Sequence, residues 1–178
     1  TGDSVLTNEV GITVLPPLPA SITLAASSTS VCAGASVTIT ATPTNGGTPT
    51  YVFYVNGNQV QSGASDSYTY TPANGDVVTA QMTSTATCVT GSPASSNSIS
   101  ITVSSASITG STVFCVGGST TLTASANPAA TDYAWTLNGS ALATTSSITA
   151  SAAGVYAVVT TDANGCTSTT TGNVSEPP

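Results

Sequence analysis

The sequence contains no lysine, arginine or histidine, and this absence excludes most side-chain chemistry. Its 178 residues include seven Asp and Glu, which give a formal net charge of −7, and only 4% of residues are charged, against about 25% in ordinary proteins. Without histidine there is no Ser–His or Cys–His base and no imidazole metal ligand. Without lysine there is no Schiff base and no Lys–Asn isopeptide cross-link. We therefore predict that the chain is not an enzyme and needs no cofactor.

The missing cations also exclude whole classes of partner. Nothing in the chain can neutralise a phosphate backbone, so nucleic-acid binding is not expected, and anionic membrane surfaces are excluded for the same reason. No apolar run is long enough to cross a bilayer, so no membrane insertion is expected. The chain begins at Thr1 without a Met or a signal-peptide pattern, which suggests a processed mature form or an excerpt. A surface of Thr, Ser, Asn and Gly suits a secreted protein that packs against copies of itself; a soluble domain of a larger protein is the alternative.

What the sequence does contain is an internal repeat. Residues 32–41 align with residues 115–124, and residues 51–57 align with residues 133–139. Cys88 then matches Cys166. The distance between matching positions shortens only between strand-like runs, where loop lengths vary freely. The chain therefore holds two copies of one structural unit.

Each copy has the pattern of short, half-buried strands. In the first copy, alternating apolar and polar residues with Gly and Pro between the runs predict strands at 21–25, 36–42, 51–55, 67–71, 77–83 and 97–103. No segment has sustained helical periodicity. Strands of this length and spacing predict an all-β fold made of two tandem sandwiches. The residues expected in the two cores are Val37, Ile39, Phe53, Leu122, Trp135 and Tyr156.

The beginning of the chain does not belong to either copy. Residues 8–14 are similar to residues 97–103, the last strand of the first copy, and a Pro-rich stretch follows them. We divide the chain into residues 1–19 (an extra N-terminal strand and linker), 20–104 and 105–178. The closing strand of the second copy, at 169–174, is only weakly apolar. Either a longer array ends one strand early, or the first strand completes a neighbouring subunit by donor-strand exchange, in which case the interacting residues are Val10, Ile12 and Val14.

The four cysteines predict disulfides rather than a metal site. They are Cys32, Cys88, Cys115 and Cys166, two in each copy at matching positions, with no Cys-x-x-Cys pair. Pairing within each copy, Cys32 with Cys88 and Cys115 with Cys166, is the simplest arrangement. However, Cys32 and Cys115 lie at the start of the second strand of a standard sandwich, and Cys88 and Cys166 lie at the end of the sixth. These two positions are at opposite ends of a sandwich. Pairing across a domain junction, such as Cys32 with Cys166, is therefore the alternative.

Other candidate sites are weak. The segment Asp162-Ala163-Asn164-Gly165 has part of a calcium loop but lacks the remaining acidic ligands, so we interpret it as a tight turn and predict no metal. The seven carboxylates are scattered, which does not favour a glycosidase pair. Tyr156, after Gly154, is expected to begin the sixth strand and to hold the turn before it.

Segments in both copies carry a family resemblance. Residues 74–79, 85–88 and 91–99 of the first copy resemble the immunoglobulin-like repeats of secreted Bacteroidota proteins. Residues 154–156 and 161–167 of the second copy are similar to repeats of gliding-motility adhesins and to PKD-like domains. The resemblance covers nearly the whole chain after Ala20. It implies an immunoglobulin-like fold, export by the type IX route to the cell surface or medium, and a stalk, spacer or adhesive role without catalytic residues.

The sequence predicts two alternative functions. The first is a structural subunit of an extracellular filament or surface adhesin, which assembles with copies of itself or with adjacent repeats through strand edges. The alternative is a passive stalk, or a ligand-binding module, on a larger secreted protein. A carbohydrate is a possible ligand, although nothing in the sequence specifically supports one.

Overall fold

The computed structural model describes residue 14 and residues 16–177, and every regular element in this part of the chain is a β-strand. None of the described residues forms a helix that could span a membrane. Val10 and Ile12, which we expected in an assembly strand, lie outside the described residues. Val14 is described and is 88% exposed.

The first sandwich pairs two sheets, with short strands at their ends. One sheet has the order β2-β4-β7, and the other has the order β10-β8-β5-β6, with β11 also paired to β8. Two short parallel pairs, β1 with β9 and β3 with β12, lie beside them. The strands are β1 (Leu18–Pro19), β2 (Ser21–Ala26), β3 (Ser30–Val31), β4 (Val37–Thr44), β5 (Thr50–Val55), β6 (Asn58–Gly63), β7 (Ser67–Tyr70), β8 (Val77–Thr83), β9 (Val89–Thr90), β10 (Ala94–Ser95), β11 (Ile99–Ser100) and β12 (Thr102–Val103).

The second sandwich repeats this arrangement with fewer interruptions. Its sheets have the orders β13-β14-β17 and β16-β15-β18-β19. Three strands therefore face four in the same chain order as in the first copy, which is an immunoglobulin-like topology. The strands are β13 (Ser105–Thr109), β14 (Thr120–Asn127), β15 (Ala130–Leu137), β16 (Ser140–Ala143), β17 (Ser147–Ala150), β18 (Gly154–Asp162) and β19 (Thr167–Val174).

Each sandwich has its own hydrophobic core because inward-facing residues alternate with outward-facing ones along the strands. All six residues that we expected in the cores are at most 2% exposed. Trp135 fills the centre of the second core, and its indole Nε1–H donates a hydrogen bond to the Thr145 carbonyl at 2.9 Å. The polar end of the ring is thus paired while the rest is buried.

An asparagine in each copy joins the turn after β5 or β15 to the start of β8 or β18. Asn56 and Asn138 both have positive φ, at 52° and 48°, in the turns after β5 and β15. The side-chain oxygen of Asn56 accepts a hydrogen bond from Val77 N at 2.9 Å, and that of Asn138 accepts one from Val155 N at the same distance. The Asn-Gly turn is therefore a structural device common to both copies.

Several strands differ from expectation. The two-residue strands β1, β3, β9 and β10 were not predicted, and the expected strand at 97–103 is divided into β11 and β12. β6 was not predicted, because its residues are mostly exposed and polar and carry no alternation. The expected weak closing strand at 169–174 is in fact the eight-residue β19, which pairs with β18 from Gly154 opposite Val174 to Thr161 opposite Thr167. Backbone hydrogen bonds hold this strand, and only Val174 among its residues is fully buried.

Candidate functional site: the junction between the sandwiches

The link between the two sandwiches is a single residue, Ser104. The last strand of the first sandwich, β12, runs parallel to β3, and Ser104 N donates a hydrogen bond to the Val31 carbonyl at 2.9 Å. The next residue, Ser105, already begins β13. Because Ser104 is itself 7% exposed, the connection is a buried, hydrogen-bonded segment rather than a solvated linker.

A disulfide between Cys32 and Cys166 closes this junction. Cys32 follows β3, which pairs with β12 at the place where the chain leaves the first sandwich. Cys166 lies in the loop between β18 and β19 of the second sandwich. Their Cα atoms are 5.0 Å apart, and 134 residues separate them in sequence. The bridge therefore joins the two sandwiches covalently.

This bridge corrects the pairing that we considered simplest. Cys32 does not pair with Cys88, and Cys115 does not pair with Cys166, because each copy carries its two cysteines at opposite ends of the sandwich. The alternative, pairing across the junction, is the one that the structure contains. Cys88 and Cys115, which we expected in disulfides, are exposed free thiols.

The turn that carries Cys166 is organised by Asp162. One carboxylate oxygen, Oδ1, accepts hydrogen bonds from Asn164 N at 2.8 Å and Cys166 N at 3.0 Å. The other oxygen, Oδ2, accepts the hydroxyl proton of Ser104 at 2.6 Å, from the link between the sandwiches. Asp162 is 5% exposed, and no cation faces it, since the chain has no Lys, Arg or His. The hydrogen bond from Ser104 lowers the pKa of Asp162, the two backbone N–H groups act in the same direction, and burial opposes them.

These contacts answer the question of a calcium loop at 162–165. The Asp162 oxygens point at donors of the protein itself, so the segment is the tight turn that we predicted. No group of three or more metal-ligating side chains occurs in the described residues. A second polar contact spans the junction, from Asn164 Nδ2 to Ser30 Oγ at 3.4 Å.

The two free thiols lie where the chain enters the first sandwich and where it leaves the second. The Cys88 carbonyl accepts a hydrogen bond from Leu18 N at 2.9 Å, just before β2 begins. Phe114 N, next to Cys115, donates to the Ser175 carbonyl at 3.2 Å, just after β19 ends. The disulfide thus occupies the middle of the two-sandwich unit, and the free thiols occupy its outer ends.

A shallow apolar depression of about 330 Å³ lies beside β15 and β16. It is lined by Trp135, by Leu142, by small residues of the same two strands and by Thr144 just after β16. Trp135 is only 1% exposed, so no aromatic face is available on which a sugar ring could stack. The depression lacks the converging polar groups that usually orient a small ligand.

Sequence reasoning located the cysteines and the turn but missed the residue that joins them. Ser104 is one of many serines in a Ser-rich segment, and nothing in its neighbourhood marks it as a partner of Asp162. Tyr156 has the expected role: its hydroxyl donates to the Ala152 carbonyl at 3.0 Å and holds the turn before β18.

Comparison with known proteins identifies similar folds at low identity. No family model matches the chain, and no curated protein matches its sequence. Many solved structures are similar, including the full ectodomain of mouse nectin-like molecule 4 (14% identity, TM-score 0.46), which matches over 86% of this chain and 64% of that one. Others are the fibronectin(III)-like modules of Clostridium thermocellum CbhA (14%, TM-score 0.39, 86% and 94% covered) and murine CEACAM1b (14%, TM-score 0.35, 89% and 100% covered).

Proposed function

We propose that this chain is a structural subunit of an extracellular filament or surface adhesin of the kind found in secreted Bacteroidota proteins. The disulfide that crosses the junction carries this proposal. A bond between two domains adds nothing to the interior of either core, but it fixes their relative orientation. Such a bond forms and persists in oxidising surroundings, which supports a location outside the cytoplasm.

The junction is suited to transmitting force along the chain or to keeping the two sandwiches in a fixed relative orientation. A short connection, a covalent bridge and the Ser104–Asp162 hydrogen bond act together at one place. Domains connected by ordinary linkers move relative to one another. A unit built to stay rigid at its joint is more useful as a segment of a stalk or fibre than as a flexible tether.

Strand edges offer the assembly surface that we propose. β19 pairs with β18 on one side; on its other side no described strand forms a ladder with it, and an isolated parallel bridge between Val113 and Ser175 lies at its end. Because β19 is complete, an incoming strand would extend this sheet by edge addition rather than fill a missing position. We propose that the N-terminal strand, with Val10, Ile12 and Val14, supplies that incoming edge from a neighbouring copy.

Negative-stain electron microscopy of the purified chain, with and without residues 1–19, tests this function. Filaments from the full chain and discrete particles from the truncated chain are expected. Filaments from both preparations would reject the role of the N-terminal strand, and discrete monomers from both would reject assembly in favour of a passive stalk.

The second candidate is a ligand-binding module on a larger secreted protein. The depression beside Leu142 is the only observation that favours it, and its apolar lining suits an apolar group better than a sugar. A carbohydrate array and a panel of apolar fluorescent probes would test it. Binding that the substitution Leu142→Asp abolishes would support this function, and an absence of signal would count against it.

A further inference from the structure

The free thiols at the two ends correspond to the two halves of the disulfide at the junction. Cys115 occupies in the second sandwich the position that Cys32 occupies in the first, and Cys88 occupies in the first the position of Cys166 in the second. The unit thus carries one complete bridge in its middle and one unpaired half of the same bridge at each end.

The local backbone confirms the first correspondence. The Cys32 carbonyl accepts a hydrogen bond from Ala35 N at 3.1 Å, and the Cys115 carbonyl accepts one from Gly118 N at 2.8 Å. The glycines inside these two turns have nearly the same positive φ, 81° at Gly34 and 75° at Gly117. Cys115 is therefore presented on the same turn as the cysteine that forms the bridge.

The second correspondence holds in the other loop. Asp162 Oδ1 accepts a hydrogen bond from the backbone N two residues later, and Ser84 Oγ does the same for Ala86 N at 3.1 Å. Both groups lie four residues before the cysteine of the loop, Cys166 or Cys88. The side chain that organises the turn is different, but its position and its role are the same.

We propose that copies of this chain join head to tail through a disulfide between Cys115 of one copy and Cys88 of the next. The contact between the second sandwich of one copy and the first sandwich of the next would then repeat the contact between the two sandwiches of one chain. This inference deepens the proposed filament, because it names a covalent contact between subunits and rests on the assembly proposed above.

The residues around the two thiols fit such a contact. Within the chain, Asn164 of one loop touches Ser30 of the other at the junction. At the outer ends, Ala86 matches Asn164 and Val113 matches Ser30. In a head-to-tail contact, an apolar pair would therefore take the place of the polar pair. Val113 is 50% exposed and Val116 is 71% exposed beside Cys115, and Leu18 is 43% exposed beside Cys88. A head-to-tail contact would cover this apolar surface.

The bond forms by two exchange reactions with a small disulfide such as oxidised glutathione. The Cys115 thiolate attacks one glutathione sulfur, forms a mixed disulfide and releases one glutathione thiolate. The Cys88 thiolate of the next copy then attacks the Cys115 sulfur and releases the second. Two protein thiols are oxidised, one glutathione disulfide is reduced, and the two protein protons end on the two glutathione thiolates.

Variants that each lack one of the two free thiols test the pairing directly. The wild-type chain, Cys88→Ser, Cys115→Ser and an equal mixture of the two variants are incubated with a glutathione redox buffer and separated on a non-reducing gel. We expect a ladder of multimers from the wild type, monomers from each variant alone, and dimers from the mixture. Chymotryptic peptides of the dimer should show residue 115 linked to residue 88; trypsin is unsuitable because the chain has no Lys or Arg.

Three results would overturn the proposal: monomers from the wild type, homodimers from a single variant as abundant as dimers from the mixture, or cross-links that involve Cys32 or Cys166. Electron microscopy of the double variant Cys88→Ser/Cys115→Ser separates this inference from the proposed function. Filaments formed by that variant, together with an absent ladder in the wild type, would leave the filament proposal standing and reject the covalent contact. A ladder without filaments would support the covalent contact and reject the filament.

Discussion

The hydroxyl of Ser104, the one residue that links the two sandwiches, donates a 2.6 Å hydrogen bond to the Asp162 carboxylate of the second sandwich. The same carboxylate holds the turn that presents Cys166 to Cys32. The link, the turn and the disulfide are therefore coupled, and the protonation state of one buried carboxyl affects all three.

Replacing Ser104 by Ala should raise the pKa of Asp162. The hydrogen bond from Ser104 is the main cause of the lowered pKa in the folded protein. A carboxyl with a lowered folded pKa stabilises the protein above its unfolded pKa of about 4, and this stabilisation is lost as the pH falls through the folded value. The Ser104→Ala variant should thus lose stability at neutral pH and show a shallower acid dependence.

Denaturant unfolding between neutral and acid pH, with NMR titration of the Asp162 carboxyl carbon, measures this effect. The exposed neighbour provides the control, since Ser105→Ala should leave the Asp162 titration unchanged. An unchanged Asp162 pKa in Ser104→Ala would show that the backbone N–H groups alone set it.

The sandwiches could be predicted because burial acts on alternate residues. Val37 and Ile39 lie at fully buried positions, and Thr38 between them faces outward, so the alternation of the core can be read directly from the sequence. β6 could not be found in this way, because an edge strand held by backbone hydrogen bonds needs no apolar residues. The same reason explains why the Thr-rich β19 looked weak.

The junction was only partly predictable, for a different reason. Matching cysteines in two copies suggest a bond within each copy, because sequence distance says nothing about which end of a sandwich a loop occupies. Chain direction decides that: Cys32 lies beside β12 at the exit of the first sandwich, and Cys166 lies at the entrance of the second. No local pattern marks Ser104 as their neighbour, since its partner lies 58 residues away.

Tyr70 provides a test at alkaline pH. Its hydroxyl is buried with no partner at normal hydrogen-bonding distance, and the Asp76 carboxylate lies close enough to act on it. Burial, and then the negative charge of Asp76, raise the pKa of Tyr70 to about 12. A group with a raised folded pKa stabilises the protein below its unfolded value of about 10, and that stability is lost as the pH rises towards 12.

The variant Tyr70→Phe should therefore unfold less readily than the wild type above about pH 10, and it should be no less stable at pH 7, since it removes an unpaired buried hydroxyl. Thermal unfolding followed by circular dichroism at both pH values measures this. Tyr54→Phe is the matched control, because the Tyr54 hydroxyl bonds to an exposed Gln81 side chain. Equal alkaline sensitivity of Tyr70→Phe and the wild type would contradict the prediction.

Gly110 tests the packing at the end of β13. Its φ is 131°, and a Cβ at this position would collide with the backbone carbonyl oxygen of Thr121 on β14. Because backbone cannot give way as a flexible side chain can, we expect Gly110→Ala to lower the free energy of unfolding by about 3 kcal/mol. Gly57 also has a positive φ, at 79°, but nothing lies within 4 Å of its Cβ position. Gly57→Ala should cost about 1 kcal/mol, and equal costs in urea unfolding would show that the collision is relieved by movement of β13.

The bridge at the junction should orient the sandwiches without building either core. Neither Cys32 nor Cys166 belongs to one of the two hydrophobic clusters. In a Cys88→Ser/Cys115→Ser background, adding Cys32→Ser and Cys166→Ser should therefore leave the β-sheet spectrum intact and broaden the range of interdomain angles seen by small-angle X-ray scattering. The bridge spans 134 residues, and its removal should lower stability by up to about 5 kcal/mol, the loop-closure entropy that it withholds from the unfolded chain.

The background variant alone keeps the bridge and controls for the loss of the free thiols. An identical scattering profile in both variants would mean that Ser104, Asp162 and the parallel pairing of β3 with β12 hold the junction without covalent help.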